Sequence, residues 1–172
     1  PVLPEGASEY VVGLSERYSS NDILSYIDGA RSLKILTIGE AIVDEYVYCE
    51  ALGKSGKEPV LVSRQIDSER FAGGIVAVAN NVASFSDQVG LLTFLGQVDS
   101  YEDFIRDNLN PNIDSTFLYM EGDSPTILKR RFVDRSPFHV QKLFELYLMD
   151  DGEPKPVESQ ILCEKLEELI PQ

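Results

Sequence analysis

Residues 38–44 read Ile-Gly-Glu-Ala-Ile-Val-Asp. The apolar run Leu33 to Ile38 leads into this stretch, and a second strand-like run, Ile42 to Tyr48, leads out of it. Gly39-Glu40-Ala41 is too short for anything but a tight connection, so a strand ends at Gly39 and an acid, Asp44, stands just beyond. In α/β proteins ligands collect at the carboxyl ends of parallel strands. A carboxylate placed there can accept two hydroxyl bonds, and charge-assisted bonds are about twice as strong as neutral ones. The plainer reading is that Asp44 sits on an exposed strand edge, and spacing alone favours it.

Downstream, residues 51–58 read as loop and residues 59–66 as extended chain. Gly73-Gly74 then opens residues 75–85, where Ala77, Ala79 and Ala83 suit a closely packed, buried helix. Val89 to Phe94 is a strand ending near Gly96. Tyr101, Phe104, Ile105 and Leu109 recur at a helical period. Residues 115–120 and 126–133 read as strands, and residues 138–149 fit more than one element. Residues 158–170 form an amphipathic helix with an acidic outer face. Upstream, residues 1–17 read as a linker in which Tyr10-Val11-Val12 could form a short strand. Ser19-Ser20-Asn21-Asp22 caps a helix carrying Ile23, Leu24 and Ile27, with Gly29 as its stop. Strands alternate with helices, which predicts an α/β sheet with helices on its faces. The hairpin-like stretches 42–66 and 115–133 predict a small second sheet beside it.

A chain of 172 residues suits one domain with a real core. Its formal charge of −14 argues against non-specific nucleic-acid binding, which needs a basic face, and against an anionic membrane surface. A small anionic substrate stays open, because a local basic cluster overrides the global sign at short range. No apolar run approaches the roughly 20 residues of a membrane span, and no signal-peptide pattern is present. Cys49 and Cys163 are far apart, which fits reduced thiols in a cytoplasmic protein. One histidine, His139, and no paired-cysteine spacing speak against a metal site. The first residue is Pro1 rather than Met, which suggests processing or a longer parent chain.

Two further features could carry chemistry. Adjacent glycines at 73 and 74 let a backbone approach a ligand closely at a helix start, where free N–H groups point outward; a tight turn into a packed helix is the bland alternative. The pair matches neither a dinucleotide fingerprint nor a Walker A loop. Lys129-Arg130-Arg131, with Arg135 and Lys142, is the one dense basic stretch. On a strand, Lys129 and Arg131 share a face and Arg130 points away. Such a pair could grip a phosphate or carboxylate, or could simply protect a solvated strand edge. His139 has no acid–nucleophile partner nearby and reads as structural. Cys49, on a strand, reads as buried filler.

In this order and spacing these residues resemble the ribokinase-like (PfkB) carbohydrate kinases, with the nearest look to the heptose-phosphate kinase domain of ADP-heptose synthase. The resemblance runs from Lys34 to about Leu169. It is carried by residues 38–46, by Glu58-Pro59-Val60-Leu61-Val62, by Ala72-Gly73-Gly74 with Asn81-Val82-Ala83-Ser84, by Val89-Gly90-Leu91, and by residues 125–133 from Pro125 to Val133. It implies the N-terminal half of a doubly wound ribokinase-like α/β sheet with a small β lid that often pairs across a dimer. Asp44 would bond sugar hydroxyls, Gly73 and Gly74 would let the sugar approach, and Lys129 and Arg131 would lie near the substrate, holding the phosphate of a phosphosugar. Asn81 is the remaining candidate substrate contact. The nucleotide site, the catalytic aspartate and the Mg-ATP they serve are expected in a C-terminal half, so no catalytic residue and no bound cofactor is expected in this stretch.

Departures from the family pattern are Glu40 where an Asp is usual, Ala77 where a sugar-binding Asn is expected, Gln97 after Gly96, and Ser136-Pro137-Phe138 in place of polar residues. They raise a rival: a degenerate, non-catalytic sugar-phosphate-binding or dimerisation module. Arg17-Tyr18-Ser19-Ser20-Asn21-Asp22-Ile23-Leu24 faintly resembles the start of the last helix in cytidylyltransferase-type nucleotidyltransferases. Residues 1–32 are accordingly read as linker and short helix, with the tail of a preceding nucleotidyltransferase domain as the alternative, and residues 33–172 as the N-terminal, substrate-side part of a ribokinase-like kinase domain.

Overall fold

A computed structural model describes residues 4–135, 140–150 and 156–170. Along the chain run α1 (Ala7–Arg17), α2 (Ser20–Ala30), β1 (Lys34–Ile38), β2 (Ala41–Lys54), β3 (Leu61–Gly74), α3 (Ile75–Ala83), β4 (Gln88–Val98), α4 (Glu102–Asp107), β5 (Ile113–Pro125), β6 (Ile127–Arg135), β7 (Val140–Leu148) and α5 (Pro156–Leu169). The strands make two sheets. One is parallel, in the order β1-β4-β5; the other has the order β3-β2-β6-β7, with β2 and β6 parallel at its centre and antiparallel strands on both edges.

The parallel sheet forms because β4 is apolar on both faces. Val89, Leu91, Leu92 and Leu95 are all buried, the pattern of a strand covered above and below. Helix α3 packs Val76, Ala79 and Ala83 toward the core, and α4 adds Ile105. The two alanines let α3 lie close, and each large aliphatic side chain buried here is worth about 1.5–3 kcal/mol. The same cluster takes in Ala41, Val43 and Leu128, so the base of the second sheet grows out of the core.

Two threonines join the sheets. The Ala41 N–H donates to Thr93 Oγ1 at 3.0 Å, and the Gly96 N–H donates to Thr126 Oγ1 at 2.9 Å, while the Thr126 hydroxyl donates to the Ser100 carbonyl at 2.8 Å. Thr93 and Thr126 are buried, so these bonds satisfy polar groups that have no access to water. A Cβ on Gly96 would overlap the Ser124 carbonyl and the Pro125 backbone. Gly96 is therefore the point where β4 crosses the chain on its way from one sheet to the other.

Several sequence expectations change. Residues 7–17 form α1 rather than a linker or a short strand. Tyr10-Val11-Val12 has strand propensity, but no strand among the described residues pairs with it, and a helix meets its own backbone hydrogen bonds where a lone strand cannot. α2 starts at its expected cap: Asp22 N–H donates to Ser19 Oγ at 3.2 Å and Ser19 N–H donates back to Asp22 Oδ2 at 2.8 Å, a reciprocal capping box. It runs through Gly29 to Ala30. Neither α1 nor α2 buries a residue. The expected loop 51–58 begins as strand, since β2 continues to Lys54 past an irregularity in register near Gly53.

The second sheet also has different members. β5 was expected beside β6 but pairs in parallel with β4 instead, in the register Val89↔Ile113. The splice at Thr126 lets the chain change sheets between β5 and β6. The partner of β6 is β7, from the ambiguous stretch. Cys49 is buried and its thiol donates to the Val47 carbonyl at 3.6 Å, as expected of a filler; Cys163 is a free thiol too. His139 and Ser136-Pro137-Phe138 lie outside the described residues.

Candidate functional site

Strand pleating sorts β2 into two faces. Ala41, Val43, Glu45, Val47 and Cys49 are buried, and the residues between them are half-buried. Asp44 belongs to the second set, with Tyr46 and Tyr48. Across the sheet its register neighbours are Phe71 on β3 and Lys129 on β6, and Tyr46 stands beside Arg131. β7 adds Glu145 opposite Arg131 and Tyr147 opposite Lys129. One face thus carries Asp44, Lys129, Arg131, Glu145, Tyr46 and Tyr147. Arg130 points to the other face, as alternation predicts.

Asp44 Oδ1 accepts a hydrogen bond from Arg131 Nη1, with the two side chains 23% and 18% exposed. Arg131 Nε lies 3.4 Å from Glu145 Oε1, and its guanidinium sits 5.4 Å over the Tyr46 ring, which in turn meets Phe71 edge-on at 5.7 Å. Lys129 Nζ is 5.3 Å over the Tyr147 ring. The hydrogen bond that Arg131 donates to Asp44 raises the Arg131 pKa above its ordinary value. Hydrogen bonds from Lys142 and then Tyr147 hold the Glu145 carboxyl at about 2. Arg131 and Glu145 are therefore both charged at neutral pH.

The glycine pair meets this face at the start of α3. A Cβ on Gly73 would overlap Asp44 Oδ2, with the Asp44 carboxyl carbon only 3.1 Å away. Gly73 must therefore lack a side chain for Asp44 to lie where it does. Gly74 has φ +57, a conformation that costs an L-residue about 1 kcal/mol or more, and a Cβ there would overlap the Glu40 carbonyl. That carbonyl also accepts the first N–H of α3, from Ile75 at 2.9 Å. Residues 38–44 and 73–75 are thus one tightly interlocked corner.

Asp44, Gly73, Gly74, Lys129 and Arg131 come together. Asn81 does not join them: it is exposed in the last turn of α3, about 10 Å along the helix from Gly74 at 1.5 Å per residue. Asn80 is engaged structurally, its amide donating to the Asn108 carbonyl and its oxygen accepting from Asn110 N–H, each at 2.8 Å. Ala77 is half-buried in the first turn of α3, and Gln97 is exposed just past the Gly96 crossing. Sequence reasoning missed Glu145, Tyr147 and Tyr46. Residues 142–147, Lys-Leu-Phe-Glu-Leu-Tyr, give no clean alternation to read, because the register of β7 against β6 shifts between Phe132 and Val133. Among the described residues no group of three or more His, Cys, Asp or Glu side chains could hold a metal ion. No helix among them is long and apolar enough to cross a membrane.

A carboxylate over a bare backbone, two cations and aromatic rings thus share one face of the β3-β2-β6-β7 sheet, beside the parallel sheet of an α/β chain. Among solved structures, a provisionally named phosphofructokinase from Staphylococcus aureus matches with a TM-score of 0.52 at 18% identity, over 77% of this chain and 39% of that one. An Arabidopsis thaliana ribokinase complexed with ribose and ATP matches with a TM-score of 0.48 at 19% identity, over 65% and 35%. The chain belongs to the ribokinase-like (PfkB) carbohydrate kinase family. Within it, the chain is similar to the bifunctional protein HldE, an ADP-heptose synthase; the Haemophilus influenzae protein is 30% identical over 140 residues, 81% of this chain. The chain spans 28% of the length of that relative. No family model matches it.

Proposed function

We propose that this chain is the substrate-side and lid portion of an ATP-dependent kinase acting on a sugar or sugar phosphate. The observation that carries the reading is the seating of Asp44 directly over Gly73, with Lys129 and Arg131 on the same face. Asp44 would accept two neighbouring sugar hydroxyls, and the glycine floor would let the ring lie against the backbone. Lys129 and Arg131 would hold an anionic group on the substrate, the task for which a guanidinium fork and an ammonium are suited. The similarity to HldE over most of the chain supports a phosphosugar as the substrate class.

ATP and Mg belong, in this proposal, to the full-length protein. The described residues offer no cluster fit for a metal ion, and the N–H that opens α3 is already taken by Glu40. No step of phosphoryl transfer is assigned to them. Pairing of two lids into a homodimer, a cytoplasmic location and a preceding nucleotidyltransferase domain complete the proposal. Sedimentation over a range of concentrations tests the dimer; a strict monomer removes it.

One observation favours the rival, a non-catalytic binding module: the Ala77 methyl stands in the first turn of α3 where a sugar-binding amide is expected, and Asn81 is too far along the helix to replace it. Phosphorylation of a sugar by the full-length protein would eliminate that rival. The test of the main reading is calorimetric binding of sugars and sugar phosphates to the protein and to Asp44→Asn, with weaker binding expected in the variant.

A further inference from the structure

The buried face of β2 carries a second charged constellation that the sugar face does not use. Glu45 is 4% exposed, and both of its oxygens are taken by arginines from the flanking strands. Arg70 Nε of β3 donates to Oε1 at 2.8 Å, and Arg130 Nε of β6 donates to Oε2. Burial pushes the Glu45 carboxyl up, but the hydrogen bonds from Arg130 and Arg70 outweigh it and hold the carboxyl below its ordinary value. The Arg70 guanidinium also lies 5.3 Å over the Tyr101 ring.

One arginine would neutralise Glu45. The second leaves the trio with a surplus charge of +1. Both bonds to Glu45 use Nε, so the terminal amino groups of both guanidinium forks stay available, and no described residue accepts from them. The two forks border an open cleft of about 310 Å³ lined also by Val47, Gln65, Ser68 and Phe132. The Ser68 hydroxyl and the Gln65 amide have no described partner. Phe132 is stacked on Phe144 with centroids 4.3 Å apart, and Phe144 is exposed, so an aromatic shelf adjoins the cleft. Asp134 lies four pairs further along the register from Arg130, beside Cys49.

We propose that this cleft is an anion site for a phosphomonoester, distinct from the Asp44 face. Arg70 and Arg130, pinned through Nε by Glu45, present their terminal N–H groups to the phosphate oxygens, as guanidinium forks do in bidentate recognition. Ser68 and Gln65 add hydroxyl and amide contacts, and the organic part rests on Phe132 and Phe144. Glu45 acts as the positioning residue, because it fixes two flexible side chains before the ligand arrives. The site lies on the opposite face of the strand from Asp44, so it stands whether or not a sugar binds there.

The experiment is a titration of the full chain with phenyl phosphate, and with inorganic phosphate as the probe lacking the ring, followed by backbone amide NMR. The expected result is saturable shifts at Ser68, Arg70 and Arg130, with phenyl phosphate binding more tightly than inorganic phosphate. Ser68→Glu, an exposed change that puts a like charge in the cleft, should weaken phenyl phosphate by about tenfold, or about 1.4 kcal/mol. Arg131→Gln should leave the affinity for this cleft within about twofold. Shifts confined to Asp44, Lys129 and Arg131, unchanged affinity in Ser68→Glu, or no shift anywhere on β2, β3 and β6 at about 10 mM ligand would each overturn the proposal.

Discussion

Asp44 and Glu45 are neighbours in sequence, and both are carboxylates held by arginine, yet the pleat of β2 gives them opposite surroundings. Glu45 faces inward between two strands and is nearly inaccessible, with both oxygens consumed by Arg70 and Arg130. Asp44 faces the open side, meets one arginine, and has a glycine cleared from beneath it. A carboxylate saturated by two guanidiniums holds strands β3, β2 and β6 together. One with a single charged partner can exchange that partner for a ligand. The type of residue is nearly the same on the two faces; the number of partners and the clearance decide what each can do.

The largest effect that would break this contrast is expected from Glu45→Ala. Removing one member of a mostly buried ion-pair group costs about 3–5 kcal/mol when the partners are fully desolvated. Arg70 and Arg130 reach water, so a loss of about 2–3 kcal/mol is expected in urea unfolding. A loss under about 0.5 kcal/mol, the size of an ordinary surface change, would show that Glu45 is no cross-strand tie.

Next comes Gly73→Ala. The new methyl must displace the Asp44 carboxylate, and overpacking of this kind costs about 1–3 kcal/mol. The same variant should lose the ligand affinity that depends on Asp44, readable by calorimetry. A stable variant that binds normally would mean that Asp44 does not need the bare backbone. Asp44→Asn should cost about 1 kcal/mol in stability, less than Glu45→Ala, because Asp44 holds one arginine rather than two and the amide keeps an oxygen acceptor for it. The difference between the stability changes of Glu45→Ala and Asp44→Asn is thus a direct measure of the contrast between the faces.

The pH dependence sharpens it. Glu45 has a folded pKa below its ordinary value, so its contribution is fully present above the unfolded value near 4.5 and is lost as pH falls through the folded value. Glu145 behaves in the same way, over a window extending down to about 2. Unfolding free energy measured from pH 6 downward should therefore fall below about pH 4.5, and Glu45→Gln should flatten that fall. An unchanged slope in the variant would separate Glu45 from the acid loss.

Much of this was legible in the sequence. The tight turn at 38–44, the helix opening at Gly73-Gly74 and the alternation of Lys129 and Arg131 each obey a local rule, and the structure brings those residues onto one face. β7 was not legible, because residues 140–148 mix apolar and charged side chains without a clean period and become a strand through pairing with β6. That is why Glu145 and Tyr147 escaped notice. α1 was missed because it buries no residue fully, so its sequence lacks the apolar face that marks most helices. β5 was placed in the wrong sheet because strand signals do not reveal partners; the Thr126 splice and the Gly96 crossing are tertiary facts. Glu45 was passed over for the same reason: its arginines come from positions 70 and 130 and meet only when the sheet forms.

The central claim is that Asp44 is the sugar-binding acid. The most direct measurement is calorimetric titration of a panel of sugars and sugar phosphates into the protein and into Asp44→Asn, at equal folded concentration. Losing charged hydrogen bonds to hydroxyls should weaken the best ligand by about 10- to 100-fold, the equivalent of about 1.5–3 kcal/mol. Equal affinity in the two proteins, with the best ligand bound and the variant folded, would contradict the account.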